Sequence, residues 1–173
     1  MKSHYLFPST IYVSNTPALI NTILGSCVAV CLWDPVTRCG GMNHFLLPLW
    51  DGEGLPSLKY GNVAIPKLIE KMLQYGVNKK NLVAKIFGGG AVLQLLNDKS
   101  NSLNIGEKNI DIAFTILKKE GIKILNYDVG GSTGRKIVMR TTDFKIFVKR
   151  IKKVDTDKIC FLQNDLFFNF KNK

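Results

Sequence analysis

Apolar positions along the chain fall into short runs broken by turn residues, and in two stretches they recur at helical spacing. Val28-Ala29-Val30-Cys31-Leu32-Trp33 is apolar throughout, rich in β-branched residues and closed by Asp34-Pro35, which predicts a buried strand followed by a turn. Apolar character returns from Met42 to Leu47. Ala18 to Leu24 predicts a strand leading into Gly25-Ser26, and His4 to Val13 predicts a leading strand broken at Pro8. Leu82 to Phe87 alternates as a strand and runs into Gly88-Gly89-Gly90. Ile122 to Tyr127 reads as another strand, and Arg135–Arg140 with Lys145–Arg150 as a hairpin across Thr141 to Phe144. Helical spacing appears at Leu68, Ile69, Met72 and Tyr75, within a helix from Val63 to Tyr75 capped by Asn62 and stopped by Gly76. It appears again at Ile110, Ala113, Phe114 and Leu117, within a helix from Glu107 to Glu120 ended by Gly121. A short helix is expected from Ala91 to Leu96, and a polar loop from Asp98 to Leu103.

This order, without internal repeats, predicts a single α/β domain: a layered sandwich of mixed or antiparallel β-sheet with two main helices packed outside. The domain is assigned to residues 1–154 and a C-terminal extension to 155–173. The aromatic density of that extension, with Phe161, Phe167, Phe168 and Phe170, favours docking over disorder.

The runs flanking Asp34-Pro35 predict a hairpin. With an even loop centred between Pro35 and Val36, paired residue numbers sum to 71, so Trp33 faces Arg38 and Cys27 faces His44. Directly opposed residues share a face, with Cβ atoms about 4.5–5.5 Å apart. A one-residue shift, from an odd loop or a bulge at Gly40-Gly41, would separate the pair.

Composition narrows the function classes. A chain of 173 residues with 46% hydrophobic content is large enough for one sizeable core. No apolar run approaches the ~18 residues that span a bilayer, and Met1 to Thr10 shows no signal-peptide pattern, so a cytoplasmic protein without membrane insertion is expected. The formal net charge of +11 is spread over pairs such as Lys79-Lys80, Lys118-Lys119 and Lys152-Lys153. With no RNA-binding aromatic pair and no zinc-finger spacing, nucleic acid is not the expected partner. The charge is either a lysine-rich surface or an attraction to an acidic partner. In a reducing compartment the four cysteines are expected as thiols. A zinc site from Cys27, Cys31, Cys39 and His44 is imaginable, but Cys27-x3-Cys31 on a strand lacks the C-x2-C knuckle, so no metal is expected. Gly88-Gly89-Gly90 lacks both a Gly-Lys-Ser/Thr continuation and G-x-G-x-x-G spacing; it reads as a tight turn or a close backbone approach, and no cofactor is expected. The glycine-rich stretch 49–62 reads as a loop placed to act as a lid or specificity element.

Cys27 and His44 carry the candidate chemistry. A thiolate attacks carbonyl carbon, and a neighbouring imidazole can take its proton and return it to the leaving group. N–H groups at the Gly25-Ser26 turn beside the sulfur could form an oxyanion hole. A third group usually orients the imidazole. Asn21 and Thr22 lie on the preceding strand, and strand alternation lets only one of them face the histidine. The competing reading makes Cys27 a small buried hydrophobe and His44 a satisfied core histidine.

Leu24-Gly25-Ser26-Cys27-Val28-Ala29-Val30, then Asp34-Pro35, Gly41 and His44-Phe45-Leu46-Leu47-Pro48, closely resembles the chemoreceptor glutamine deamidase family CheD. Later blocks continue the resemblance: Lys85 to Ala91, Asn104-Ile105-Gly106 with Asn109, and Asp128-Val129-Gly130-Gly131 with Gly134-Arg135. It spans roughly residues 10 to 152. The resemblance implies a cytoplasmic chemotaxis enzyme that converts glutamines of methyl-accepting chemotaxis receptors to glutamate and releases ammonia. It implies Cys27 as nucleophile and His44 as general acid/base. The family's third residue is typically a threonine six positions before the cysteine; here that position is Asn21, with Thr22 next to it as the alternative. The family also binds the phosphatase CheC. A basic enzyme suits acidic receptor helices. A different Cys–His acyl hydrolase, or a catalytically silent chemotaxis binding module, would share these features.

Overall fold

The computed structural model describes residues 1–91 and 105–151. In chain order its strands are β1 (Lys2–Tyr5), β2 (Thr10–Ser14), β3 (Ala18–Leu24), β4 (Val28–Trp33) and β5 (Gly40–His44). Helix α1 (Gly61–Gln74), β6 (Val83–Gly88), α2 (Ile105–Lys119), β7 (Lys123–Val129), β8 (Gly134–Arg140) and β9 (Lys145–Ile151) follow. One sheet has the order β1-β3-β8-β9 and the other β2-β5-β4-β6-β7. Both mix parallel with antiparallel pairs, since β1–β3 and β6–β7 run parallel. The result is the α/β layered sandwich that the apolar pattern predicts.

The five-stranded sheet is the middle layer. Val28, Val30 and Leu32 of β4 face the helices and pack with Ile65, Leu68, Met72, Ala113 and Leu117. Ala29 and Cys31 point the other way and pack with Ile20, Leu24, Ile137 and Met139 of the four-stranded sheet. Both faces of β4 are therefore dry, which is why the run has no polar alternation. Each large aliphatic side chain buried here contributes about 1.5–3 kcal/mol.

The leading segment breaks at Pro8, as expected, but its two halves join different sheets. β1 pairs with β3 and β2 with β5, so the chain crosses between layers at Leu6 to Ser9. Helix α1 starts at Gly61 behind Tyr60, with no side-chain cap. Asn62 instead holds the preceding loop, accepting from the Trp50 N–H at 2.8 Å and donating to its carbonyl at 3.2 Å. Tyr75, expected on the buried face, is the exposed C-cap, while Gly76 adopts φ +82° and ends the helix as its residue type suggests. The helix expected from Ala91 to Leu96 lies, after Ala91, outside the described residues, as do the loop at 98–103 and the extension 155–173.

The β4–β5 hairpin forms with a different register. Cys31 pairs with Met42, Leu32 with Gly41 and Val28 with Phe45, so paired numbers sum to 73 instead of 71. The cause is the loop. Asp34 N–H donates to the Cys39 carbonyl at 3.0 Å, enclosing the four residues 35–38. The Asp34 carboxylate accepts from Val36 N–H and from the Thr37 hydroxyl, both at 2.9 Å, and Arg38 closes the turn with φ +56°. His44 thus lies opposite Ala29, not Cys27. A shift of two keeps the parity, so Cys27 and His44 still occupy the same face as diagonal neighbours, about 7–8 Å apart at Cα.

Candidate active site

The site lies between the two sheets. His44 ends β5 on the inner face and is 2% exposed. Thr22, fully buried on β3, reaches it from the opposite layer, with Oγ1 2.9 Å from His44 Nδ1. The same hydroxyl donates to the Leu6 carbonyl at 2.8 Å. That second bond settles the first. A carbonyl can only accept, so the single hydroxyl proton goes to Leu6, and Thr22 Oγ1 accepts from His44 Nδ1–H. The proton on Nδ1 leaves Nε2 with its lone pair, the arrangement a general base requires. Nε2 is buried and has no hydrogen-bond partner among the described residues.

Asn21 turns away from this site. Its Nδ2 donates to the His4 carbonyl at 2.9 Å and to Ser3 Oγ at 3.3 Å, on the outer side of the four-stranded sheet. The orienting contact expected first of Asn21 is made by its neighbour Thr22, because β3 alternates and Ala18, Ile20, Thr22 and Leu24 are its buried set.

Cys27 sits just before β4, partly exposed, and packs against the inter-sheet core. Its loop is held by its carbonyls. Gly90 N–H donates to Gly25 O and Gly89 N–H to Cys27 O, both at 2.8 Å, and Asn109 Nδ2 donates to Ser26 O at 3.1 Å. With three successive carbonyls engaged, the N–H groups of Ser26 and Cys27 find no backbone carbonyl among the described residues. The glycine run exists for this approach. A Cβ on Gly88, at φ +112°, would lie 2.1 Å from the Cys27 carbonyl oxygen. The run is braced in turn by Gly130 N–H on Gly88 O and Ala91 N–H on Gly131 O. Fully buried Arg135 fixes that second glycine loop through the Asp128 and Gly130 carbonyls, and pairs with the Asp128 carboxylate at 2.6 Å.

Burial sets the charge state. It pushes the Cys27 thiol up to about 11, opposed by the residue's own backbone N–H. It pushes His44 down to about 4, opposed by the nearby Leu6 backbone carbonyl. The two groups therefore rest as neutral thiol and neutral imidazole at pH 7, and no hydrogen bond joins them.

The remaining candidates are placed elsewhere. Cys39 packs in the helix-side core, on the far face of the sheet from Cys27 and Cys31, so these thiols do not converge on one ion. His4 stacks on Tyr12, with ring centroids 3.9 Å apart. Three contributors were not expected as site residues: Leu6 as a carbonyl, Asn43, and Asn109, which the sequence marked only as part of a later block of the resemblance. Buried Asn43 inserts its Oδ1 into the hairpin ladder, accepting from Val30 N–H at 2.8 Å beside the Ala29–His44 position.

A thiol, an imidazole with a free basic nitrogen and a hydroxyl bonded to its other nitrogen are the groups that a cysteine–histidine acyl-transfer site would use, here carried on an α/β sandwich. The family model described as "CheD chemotactic sensory transduction" matches residues 46–150. A "Probable chemoreceptor glutamine deamidase CheD" from Trichlorobacter lovleyi is 46% identical over 88% of this chain and 92% of its own length. One from Sulfurimonas denitrificans is 45% identical over 87% and 96%, and one from Anaeromyxobacter dehalogenans 43% over 85% and 84%. The chain belongs to the CheD family. Among solved structures, one of a Neisseria meningitidis protein is 12% identical over 76% of this chain and 64% of its own, with a TM-score of 0.44, a likeness too weak to bear on the fold.

Proposed function

We propose that this chain deamidates glutamine side chains of methyl-accepting chemotaxis receptors, with Cys27 as nucleophile, His44 as general acid/base and Thr22 as the group that orients His44. The observation that carries the mechanism is the Thr22–His44 bond, which leaves Nε2 unprotonated on the face shared with Cys27. As Sγ attacks the carboxamide carbon, its proton passes to Nε2. Because the pair rests neutral, this transfer accompanies C–S bond formation instead of preceding it. The N–H groups of Ser26 and Cys27 stabilise the oxyanion, a contribution on the order of 10²–10³ in rate per donor. The C–N bond breaks, the nitrogen takes the proton from Nε2, and ammonia leaves a thioester. Water then gives a proton to Nε2 and attacks the thioester; Sγ departs, recovers the proton, and glutamate is released. One water enters and one ammonia leaves.

The receptor's cytoplasmic helices place the reaction in the cytoplasm, and no described helix is long and apolar enough to cross a membrane. The net charge of +11 favours encounter with acidic receptor segments, and CheC is a further candidate partner. A second reading, a binding module without chemistry, draws support from the missing Cys27–His44 hydrogen bond. The deciding experiment incubates the protein with a cognate receptor fragment and maps Gln-to-Glu conversion by mass spectrometry. Conversion by the wild type and none by Cys27→Ala is expected. Conversion that survives Cys27→Ala would refute the thiol mechanism, and none by the wild type would favour the binding module.

A further inference from the structure

The hairpin that carries Cys27 and His44 loses its backbone ladder where the two residues need to be held. Val28 and Phe45 form its last pair, with N–H to carbonyl bonds of 3.1 and 3.0 Å. The next positions outward are Cys27 and Leu46, and no backbone bond joins them. In that place stands one side chain from another layer. Asn109, fully buried on α2, donates from Nδ2 to Ser26 O at 3.1 Å and to Leu46 O at 2.8 Å. Ser26 immediately precedes the thiol, and Leu46 lies two residues beyond the imidazole. Both amide protons are spent on backbone carbonyls, one on each side of the hairpin's open end. Asn109 Oδ1 is buried without a partner among the described residues. The orientation is thus chosen for the two donations.

We propose that Asn109 is a positioning residue that sets the separation of Cys27 from His44 by bridging the two chain segments that carry them. This rests on the reading of Cys27 and His44 as the reacting pair. The physical case is one of geometry and replacement. Two carbonyls need two protons in a fixed fork, which a primary amide supplies and a carboxylate cannot. An aspartate there would set negative oxygens against both carbonyls. A serine has one proton and a shorter reach. Without the bridge, the Ser26–Cys27 loop keeps its glycine contacts on one side but loses its tie to the β5 side. A displacement of about 1 Å in a reacting group can cost on the order of 10² in rate.

The test compares Asn109→Ser and Asn109→Asp with Leu117→Ala, a core truncation on the same helix that lowers stability without removing a hydrogen bond at the hairpin end. Two readouts are taken at a temperature where all variants are folded by circular dichroism. The first is receptor deamidation, for which Asn109→Ser is expected to lower kcat about 10- to 100-fold with KM within twofold, while Leu117→Ala stays within twofold in both. The second needs no receptor: the rate of Cys27 alkylation by iodoacetamide at pH 8, with and without His44→Gln. In the wild-type background His44→Gln is expected to slow alkylation several-fold. In the Asn109→Ser background it is expected to make no further difference. Wild-type kcat in Asn109→Ser, or an undiminished His44 effect in that background, would overturn the proposal. So would a wild type whose alkylation is indifferent to His44, because no coupling would then exist to be positioned. Failure of receptor deamidation with intact His44 coupling would instead count against the receptor substrate alone.

Discussion

Replacing Thr22 by valine tests the orientation of His44 with almost no change of side-chain volume. Two bonds disappear, one to His44 Nδ1 and one to the Leu6 carbonyl, both wholly buried. Each orphaned polar group costs about 1–3 kcal/mol, so the fold should lose roughly 2–6 kcal/mol. The rate effect is separate. A hydrogen bond to neutral imidazole is worth about 0.5–1.5 kcal/mol, and one to imidazolium about 1.5–3. His44 is charged only on the reaction path, so the difference, about 1–1.5 kcal/mol, acts on the barrier alone. That corresponds to a loss in kcat of roughly fivefold to tenfold with KM unchanged. Single-turnover deamidation of a receptor fragment, followed by ammonia release, measures it. Thr22→Ser keeps the oxygen and should recover most of the rate. Asn21→Ala removes only contacts to Ser3 and His4 and should stay within about twofold of wild type. A folded Thr22→Val protein with full kcat, or an Asn21→Ala protein slower than Thr22→Val, would refute the argument.

Other expectations follow from the same geometry. His44 is held at about 4 in the folded chain against 6.5 when unfolded, so the unfolded state takes up its proton first as pH falls. Stability should be insensitive to this group above pH 6.5 and decline between 6.5 and 4, by on the order of 3 kcal/mol in full; urea unfolding should show the decline flattened in His44→Gln. Gly88→Ala places a methyl group against the Cys27 carbonyl at a φ of +112° and should cost about 3 kcal/mol or more, with little activity left in whatever folds. Wild-type stability and activity in that variant would mean the glycine run does not fix the Cys27 loop.

How much of this was legible depended on whether a residue's role is local. The all-apolar run of β4 correctly announced a strand buried on both faces, and the two helices showed in their spacing. The hairpin register did not, because Asp-Pro is compatible with turns of more than one length; the wider turn depends on Thr37, Arg38 and the Cys39 closure. Parity survived, and with it the shared face of Cys27 and His44. Between Asn21 and Thr22 the sequence was silent. Leu19 and Ile23 on one face match Ala18, Ile20 and Leu24 on the other, so alternation marks no inner side. The choice is made by pairing with β8, where Thr22 meets Ile137. Asn109 had a faint signal, a lone amide in step with Ala113 and Leu117 on a buried helical face. Its two carbonyl partners come from 83 and 63 residues away and leave no trace in local pattern.

The two sheets divide the site unequally: the proposed nucleophile and base belong to one hairpin, while Thr22, proposed to orient the base, belongs to the other sheet. That sheet closes only when β3 finds β8, more than a hundred residues later in the chain. During synthesis the thiol and the imidazole therefore emerge long before the strand partner that secures Thr22. On the proposed mechanism, a chain in which β3 has not met β8 lacks the contact from Thr22 that orients His44. On that mechanism, deamidation depends on closure of both sheets and not on the β4–β5 hairpin alone.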